Sequence, residues 1–98
     1  MSDAATMTNK SPSANVLPPY VIIVVNDDFH TFEFVAKLLS AVLRIDLERA
    51  FQYANEIHDN GLAIVWSGSR EVGELKIEQL LTFHEGKFGP LTMSLEPG

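Results

Sequence analysis

Five consecutive β-branched residues, Val21-Ile22-Ile23-Val24-Val25, run directly into Asn26-Asp27-Asp28. Branching at Cβ restricts the first side-chain torsion against a preceding helical turn and suits a pleated strand instead. The run is apolar at both alternating sets of positions, so the strand is expected to be covered on both faces or to lie near the centre of a sheet. Three short polar residues at its end favour a turn, because Asn and Asp side chains bond nearby backbone groups. The rest of the chain has to be arranged around this strand and its abrupt polar stop.

Downstream, Phe32, Val35, Leu39, Val42 and Leu43 share one helical face, which predicts a helix from Thr31 to about Arg44, capped by His30 or Thr31. Asp46 offers the N-cap of a second helix, with Leu47, Ala50, Ala54, Ile57 and His58 recurring on one side and Gly61 ending it in the left-handed conformation. Leu62 to Trp66 reads as a strand punctuated by Ser67-Gly68-Ser69. Ser69 then caps a third helix bearing Val72, Leu75, Leu80 and Phe83 before Gly86, with Gly73 as a weak point. Leu91 to Leu95 alternates apolar and polar as a half-buried strand does. The order β-α-α-β-α-β predicts an α+β fold: a three-stranded, mostly antiparallel sheet with three helices packed on one face. Residues 1–19, interrupted by Pro12 and Pro18-Pro19 and without apolar periodicity, are expected to be a flexible tail ahead of a domain over 20–98.

Composition removes several classes. The 98 residues suit one domain, and the absence of cysteine leaves neither disulfides nor thiolate metal sites. A formal charge of −6, with Lys10, Lys37, Arg44, Arg49, Arg70, Lys76 and Lys87 scattered, argues against nucleic acid and favours a cationic ligand. No apolar stretch approaches a membrane span, nor does the N-terminus carry a basic and then apolar leader, so a cytoplasmic protein is expected.

Chemistry-bearing residues gather at the first strand's end and on the second helix. Asn26, Asp27, Asp28, His30 and His58 admit four readings. They can be turn and packing residues. Asp27, Asp28, His30 and His58 offer oxygen and nitrogen donors to zinc or a harder cation, though no two histidines have ligand spacing on one helix. Adjacent Asp27 and Asp28 in an extended segment point to opposite faces, which opposes a carboxylate dyad. Finally, an amide oxygen from Asn26, a carboxylate from Asp27 and a histidine acceptor suit an ammonium group such as a free α-amine.

Read together, "VVNDDFHTFEFVAKLL", "DLERAFQYANEIHDNG", "SREVGELKIEQLL" and "GPLTMSLE" resemble the ClpS adaptor family from about Tyr20 to Glu96. The resemblance implies a non-enzymatic adaptor, without cofactor or metal, that binds proteins with a bulky hydrophobic N-terminal residue (Leu, Phe, Tyr or Trp). It would deliver them to the N-terminal domain of a ClpA- or ClpC-like AAA+ unfoldase. Carried over by position, Asn26, Asp27 and His58 hold the substrate α-amino group. Asp28, His30, Phe32, Val35, Ala54, Ile57 and Leu91 surround its first side chain, while Glu71 and Lys76, on a solvent-facing helix, dock the unfoldase. The alternatives are a ClpS-like module with a changed residue preference or partner and, from another class, a metal-dependent hydrolase.

The chain departs from the family pattern at several of these positions. Phe32 and Ala54 stand where methionine is frequent, and if they face each other one fills volume the other releases. His30-Thr31 replaces the usual Thr-Pro, which either makes binding pH-sensitive or, more simply, leaves His30 solvated at the rim. Asp59-Asn60 follows His58 where Tyr-Gln is usual, adding negative charge near the amine site.

Overall fold

The computed structural model describes residues 18–82 and 89–98. Its elements run β1 (Tyr20–Val25), α1 (Phe32–Leu43), α2 (Leu47–Asn60), β2 (Leu62–Gly68), α3 (Arg70–Thr82) and β3 (Thr92–Pro97), the expected β-α-α-β-α-β order. The strands form one sheet in the order β2-β1-β3. Both pairings are antiparallel, so the sheet is wholly rather than mostly so. The β-branched run is thus the central strand. Ile22 and Val24 face the helices and are completely buried, while Ile23 and Val25 on the other face are half-buried beside the exposed Leu62 and Ile64 of β2. That face is partly open, so the strand is central without being covered on both sides.

Local chemistry sets the helix ends. Thr31 caps α1, its Oγ1 accepting from the Phe34 N–H at 3.0 Å. His30, the other candidate cap, is used elsewhere. The helix stops at Arg44, whose φ of 60° is left-handed, and the Ser40 hydroxyl donates to the Ile45 carbonyl at 2.7 Å across the turn. Asp46 then caps α2 through the Arg49 N–H at 2.8 Å, and Gly61 ends it at φ 90°. The short turn leaves α1 and α2 packed against each other.

The apolar periodicity overstates two buried faces. On α2, Ala50, Ala54 and Ile57 are buried, whereas Leu47 and His58 lie on the exposed side. On α3, Val72 and Leu75 face outward, and the buried positions are Leu80 and Gly73. Phe83 and Gly86, expected to finish this helix, lie outside the described residues, as do residues 1–17 of the expected tail. Gly73, read from the sequence as a weak point, is where the helix approaches the sheet. A Cβ there would stand 2.7 Å from Leu95 Cδ1 and 3.0 Å from Trp66 Cζ3.

Strand β2 also runs further than expected, through Ser67 and Gly68, which pair with Val21 and Tyr20, and it contains a bulge. Ile22 pairs with Trp66 and Ile23 with Ile64, which leaves Val65 as the extra residue. The bulge lets neighbouring Val65 and Trp66 both turn toward the core. Strand alternation resumes beyond it, bringing the backbone of Gly68 against the Trp66 ring, where a Cβ would meet Cζ2 at 2.5 Å.

The close approach at Gly73 gives a first prediction. Gly73→Val is expected to destabilise the fold by about 2 kcal/mol, since overpacking against Trp66 and Leu95 outweighs the gain in helix propensity over glycine. Urea denaturation measures it, and an unchanged midpoint would remove the close-approach account.

Candidate functional site

The end of β1 is fixed by backbone hydrogen bonds before any side chain acts. The Asn26 N–H donates to the Gly61 carbonyl at 2.8 Å, and the Gly61 N–H donates to the Ile57 carbonyl at 2.9 Å. One glycine therefore caps α2 and ties its last turn, which carries Ile57 and His58, to the strand end that carries Asn26 and Asp27. This is how the fold draws two distant parts of the sequence toward one place.

Asp27 organises the junction. Its Oδ1 accepts from the Phe29 and His30 N–H groups, each at 2.9 Å, and its Oδ2 lies 2.8 Å from His30 Nδ1. Burial pushes this carboxyl's pKa up, but the backbone N–H groups of His30 and Phe29 and the His30 ring outweigh it and hold the carboxyl below the usual aspartate value. The group is an ionised carboxylate at neutral pH. A carboxylate offers about four lone-pair positions, so three bonds leave room for one more donor. Asp28, next along the chain, is exposed.

His30 overturns the expectation of a solvated rim residue. Its side chain is 2% exposed. Beyond the Asp27 contact, Nε2 lies 2.8 Å from the Gly89 carbonyl, 59 positions away in sequence. The ring stacks on Phe34 at 5.3 Å between centroids. Gly89, at φ 74°, adopts a backbone conformation natural to glycine, and Leu91 follows two residues later, 4% exposed. The histidine thus joins the strand-end junction to the segment leading into β3.

The apolar candidates belong to one packed cluster. Val35, Ala54, Ile57 and Leu91 are buried in it, and Phe32 packs against its edge. The Phe32 ring stacks on Phe51 of α2 at 5.4 Å and 21°, one turn before Ala54. Sequence reasoning missed Phe51, although its spacing of four from Leu47 and three from Ala54 continues the apolar stripe of α2.

His58 lies open to solvent. Its side chain is 75% exposed, and its Nδ1 lies 3.3 Å from Asp59 Oδ1. Among the described residues no three His, Asp or Glu side chains are grouped to hold a metal ion. Both His30 nitrogens already meet other acceptors, so Asp27, Asp28, His30 and His58 do not make the metal-ligand set considered from the sequence.

The two expected docking residues lie in different places on α3. Glu71 lines an open cleft of about 850 Å³ with Pro18, Pro19 and Arg70. Lys76 lines another, of about 550 Å³, with Ala41, Arg44 and Gln79. Lys76 is not simply solvated, since its Nζ donates to the Val42 carbonyl at 3.2 Å, where a cation complements the C-terminal end of α1.

The chain is an α+β module with a shielded carboxylate at the end of its central strand, and its relatives identify it further. The family model for the ATP-dependent Clp protease adaptor protein ClpS matches residues 16–94. The ATP-dependent Clp protease adapter protein ClpS of Synechocystis is 40% identical over 84 residues, covering 82% of this chain and 86% of that protein. That of Thermosynechococcus vestitus is 46% identical over 65 residues, covering 65% of this chain and 69% of its relative. The solved structure of Agrobacterium tumefaciens ClpS2 bound to L-phenylalaninamide superimposes with a TM-score of 0.75 at 27% identity, covering 83% of this chain and 98% of that one. The chain belongs to the ClpS family. It is a non-catalytic adaptor of an ATP-dependent Clp protease. No helix among the described residues is long and apolar enough to cross a membrane.

Proposed function

We propose that this adaptor captures proteins by a free, bulky hydrophobic N-terminal residue (Leu, Phe, Tyr or Trp) and delivers them in the cytoplasm to the N-terminal domain of a ClpA- or ClpC-like unfoldase. The observation that carries this reading is the Asp27 carboxylate, shielded to 17% exposure, kept ionised and with acceptor capacity to spare. In this reading Asn26, Asp27 and His58 take the α-ammonium. Asp28, His30, Phe32, Val35, Ala54, Ile57 and Leu91 border the first side chain, while α3 presents Glu71 and Lys76 to the unfoldase. The ligand of the ClpS2 neighbour, phenylalaninamide, is chemically such a terminus, with a free amine and an apolar ring.

Magnitudes support a division of labour. A hydrogen-bonded ammonium-carboxylate contact contributes about 1.5–3 kcal/mol, and burying a Leu or Phe side chain about the same. Neither alone selects both terminus and residue type. The Phe32–Phe51 stack beside Ala54 favours a variant of the reading, in which an aromatic wall changes the preference among hydrophobic residues.

Calorimetric titration with short peptides differing only in their first residue tests the proposal. Free-amine peptides beginning with Leu, Phe, Tyr or Trp are expected to bind, and acetylation to weaken them by about tenfold or more. Equal affinity after acetylation, or no binding by any of the four, would sink it.

A further inference from the structure

We infer that His30 is a positioning residue that clamps the Asp27 carboxylate to the Gly89–Leu91 segment as a doubly protonated imidazolium, making peptide capture pH-dependent. The binding consequence rests on the amine-capture reading above, whereas the protonation state of the ring does not.

Both ring nitrogens meet acceptors. Nδ1 is 2.8 Å from Asp27 Oδ2, and Nε2 is 2.8 Å from the Gly89 carbonyl oxygen. A carbonyl has no proton to give, and the Asp27 carboxylate is ionised at neutral pH. Neutral imidazole has one N–H, so one contact would set lone pair against lone pair. With the side chain 2% exposed, there is little room for water to replace the missing donor. Only the imidazolium satisfies both ends. Among the described residues, the groups that meet the ring include the Asp27 carboxylate from the junction, the Gly89 carbonyl from the segment before β3 and the Phe34 ring of α1, whose π-face favours a cation. The neighbouring Asp28 carboxylate is exposed and adds negative charge nearby.

The clamp spans the two parts of the proposed site. At one end it fixes Oδ2 of Asp27, the proposed amine acceptor, and at the other the backbone two residues before Leu91, the proposed apolar wall. As pH rises and the ring loses a proton, one bond is lost and the two parts separate in function. Low pH keeps the clamp closed, and high pH opens it.

Nitrogen-15 NMR of the His30 ring in the free 98-residue chain is the direct test. At pH 7 both nitrogens are expected to be protonated, and a ring with one unprotonated nitrogen would overturn the inference even if every variant failed to fold. Peptide affinity is then compared between the native chain and two variants over pH 6 to 9. His30→Phe keeps the ring and its stacking but no donor, and His30→Gln keeps donors without a titrating charge. Both are expected to bind about tenfold more weakly at pH 7. Both should also follow only the titration of the peptide's own amine, near pH 8. A native affinity and pH profile in His30→Phe would show that the ring only packs. If the native chain binds no free-amine peptide, the capture reading fails, while the NMR result still decides the clamp.

Discussion

Asp27→Asn is expected to weaken binding of free-amine peptides by about tenfold to a hundredfold while leaving the melting temperature close to native. The amide oxygen still accepts from the Phe29 and His30 N–H groups, which are satisfied by Oδ1 in the native chain. The amide nitrogen donates to a neutral His30 Nδ1, and the Nε2–H continues to donate to Gly89. All local bonds survive with one tautomer, and only the charge is gone. Removing a charge-assisted hydrogen bond to an ammonium costs about 1.5–3 kcal/mol, which sets the range. Asp27→Ala differs: it strands two backbone donors and should cost about 2 kcal/mol of stability as well. Calorimetry and thermal melts of both variants separate site from scaffold, and native affinity in Asp27→Asn would rule out Asp27 as the amine acceptor.

The same carboxylate gives the fold an acid limit. Its folded pKa lies below the ordinary aspartate value of 3.8, so the folded state holds fewer protons than the unfolded state across that window. The stability it contributes is fully present above about pH 5 and is lost as pH falls past 3.8 toward the folded value.

The second large effect lies in the core. Ile22→Ala is expected to lower stability by about 2–5 kcal/mol. Ile22 is fully buried at the middle of the central strand, paired with Trp66 on one side and Leu95 on the other. The cavity left behind would be walled by a bulged strand and a helix held close by Gly73, neither free to collapse inward. A domain of this size has about 4–12 kcal/mol in total, so the variant is expected to be partly unfolded at 37 °C. Urea unfolding checks it, and a loss below about 1 kcal/mol would mean that the site relaxes.

Elements whose causes are local in sequence were readable from it: the β-branched strand, the Thr31 and Asp46 caps and the Gly61 terminator. What escaped depends on contacts between distant segments. The bulge at Val65 exists because β2 must match β1, and hydropathy alone does not mark it. Periodicity counts apolar side chains, so on α3 it chose Val72 and Leu75 and overlooked Gly73, whose importance is the lack of a side chain. On α2 it enlisted Leu47 and His58, which the packing of α1 leaves outside. For the candidate site, the strand-end carboxylate was identifiable, but the burial of His30 was not, because its partner Gly89 is 59 positions away.

The central place of β1 gives the two sides of the proposed site unequal mechanical standing. Asn26 and Asp27 follow directly on the strand that is hydrogen-bonded on both edges, and the Asn26 N–H is itself held by the Gly61 carbonyl, so this jaw is tied to the centre of the sheet. Gly89 to Leu91 lead into β3, which has a neighbour on one edge alone, and can shift at far smaller cost. The fold is built as an anvil and a latch, with a single imidazole ring between them.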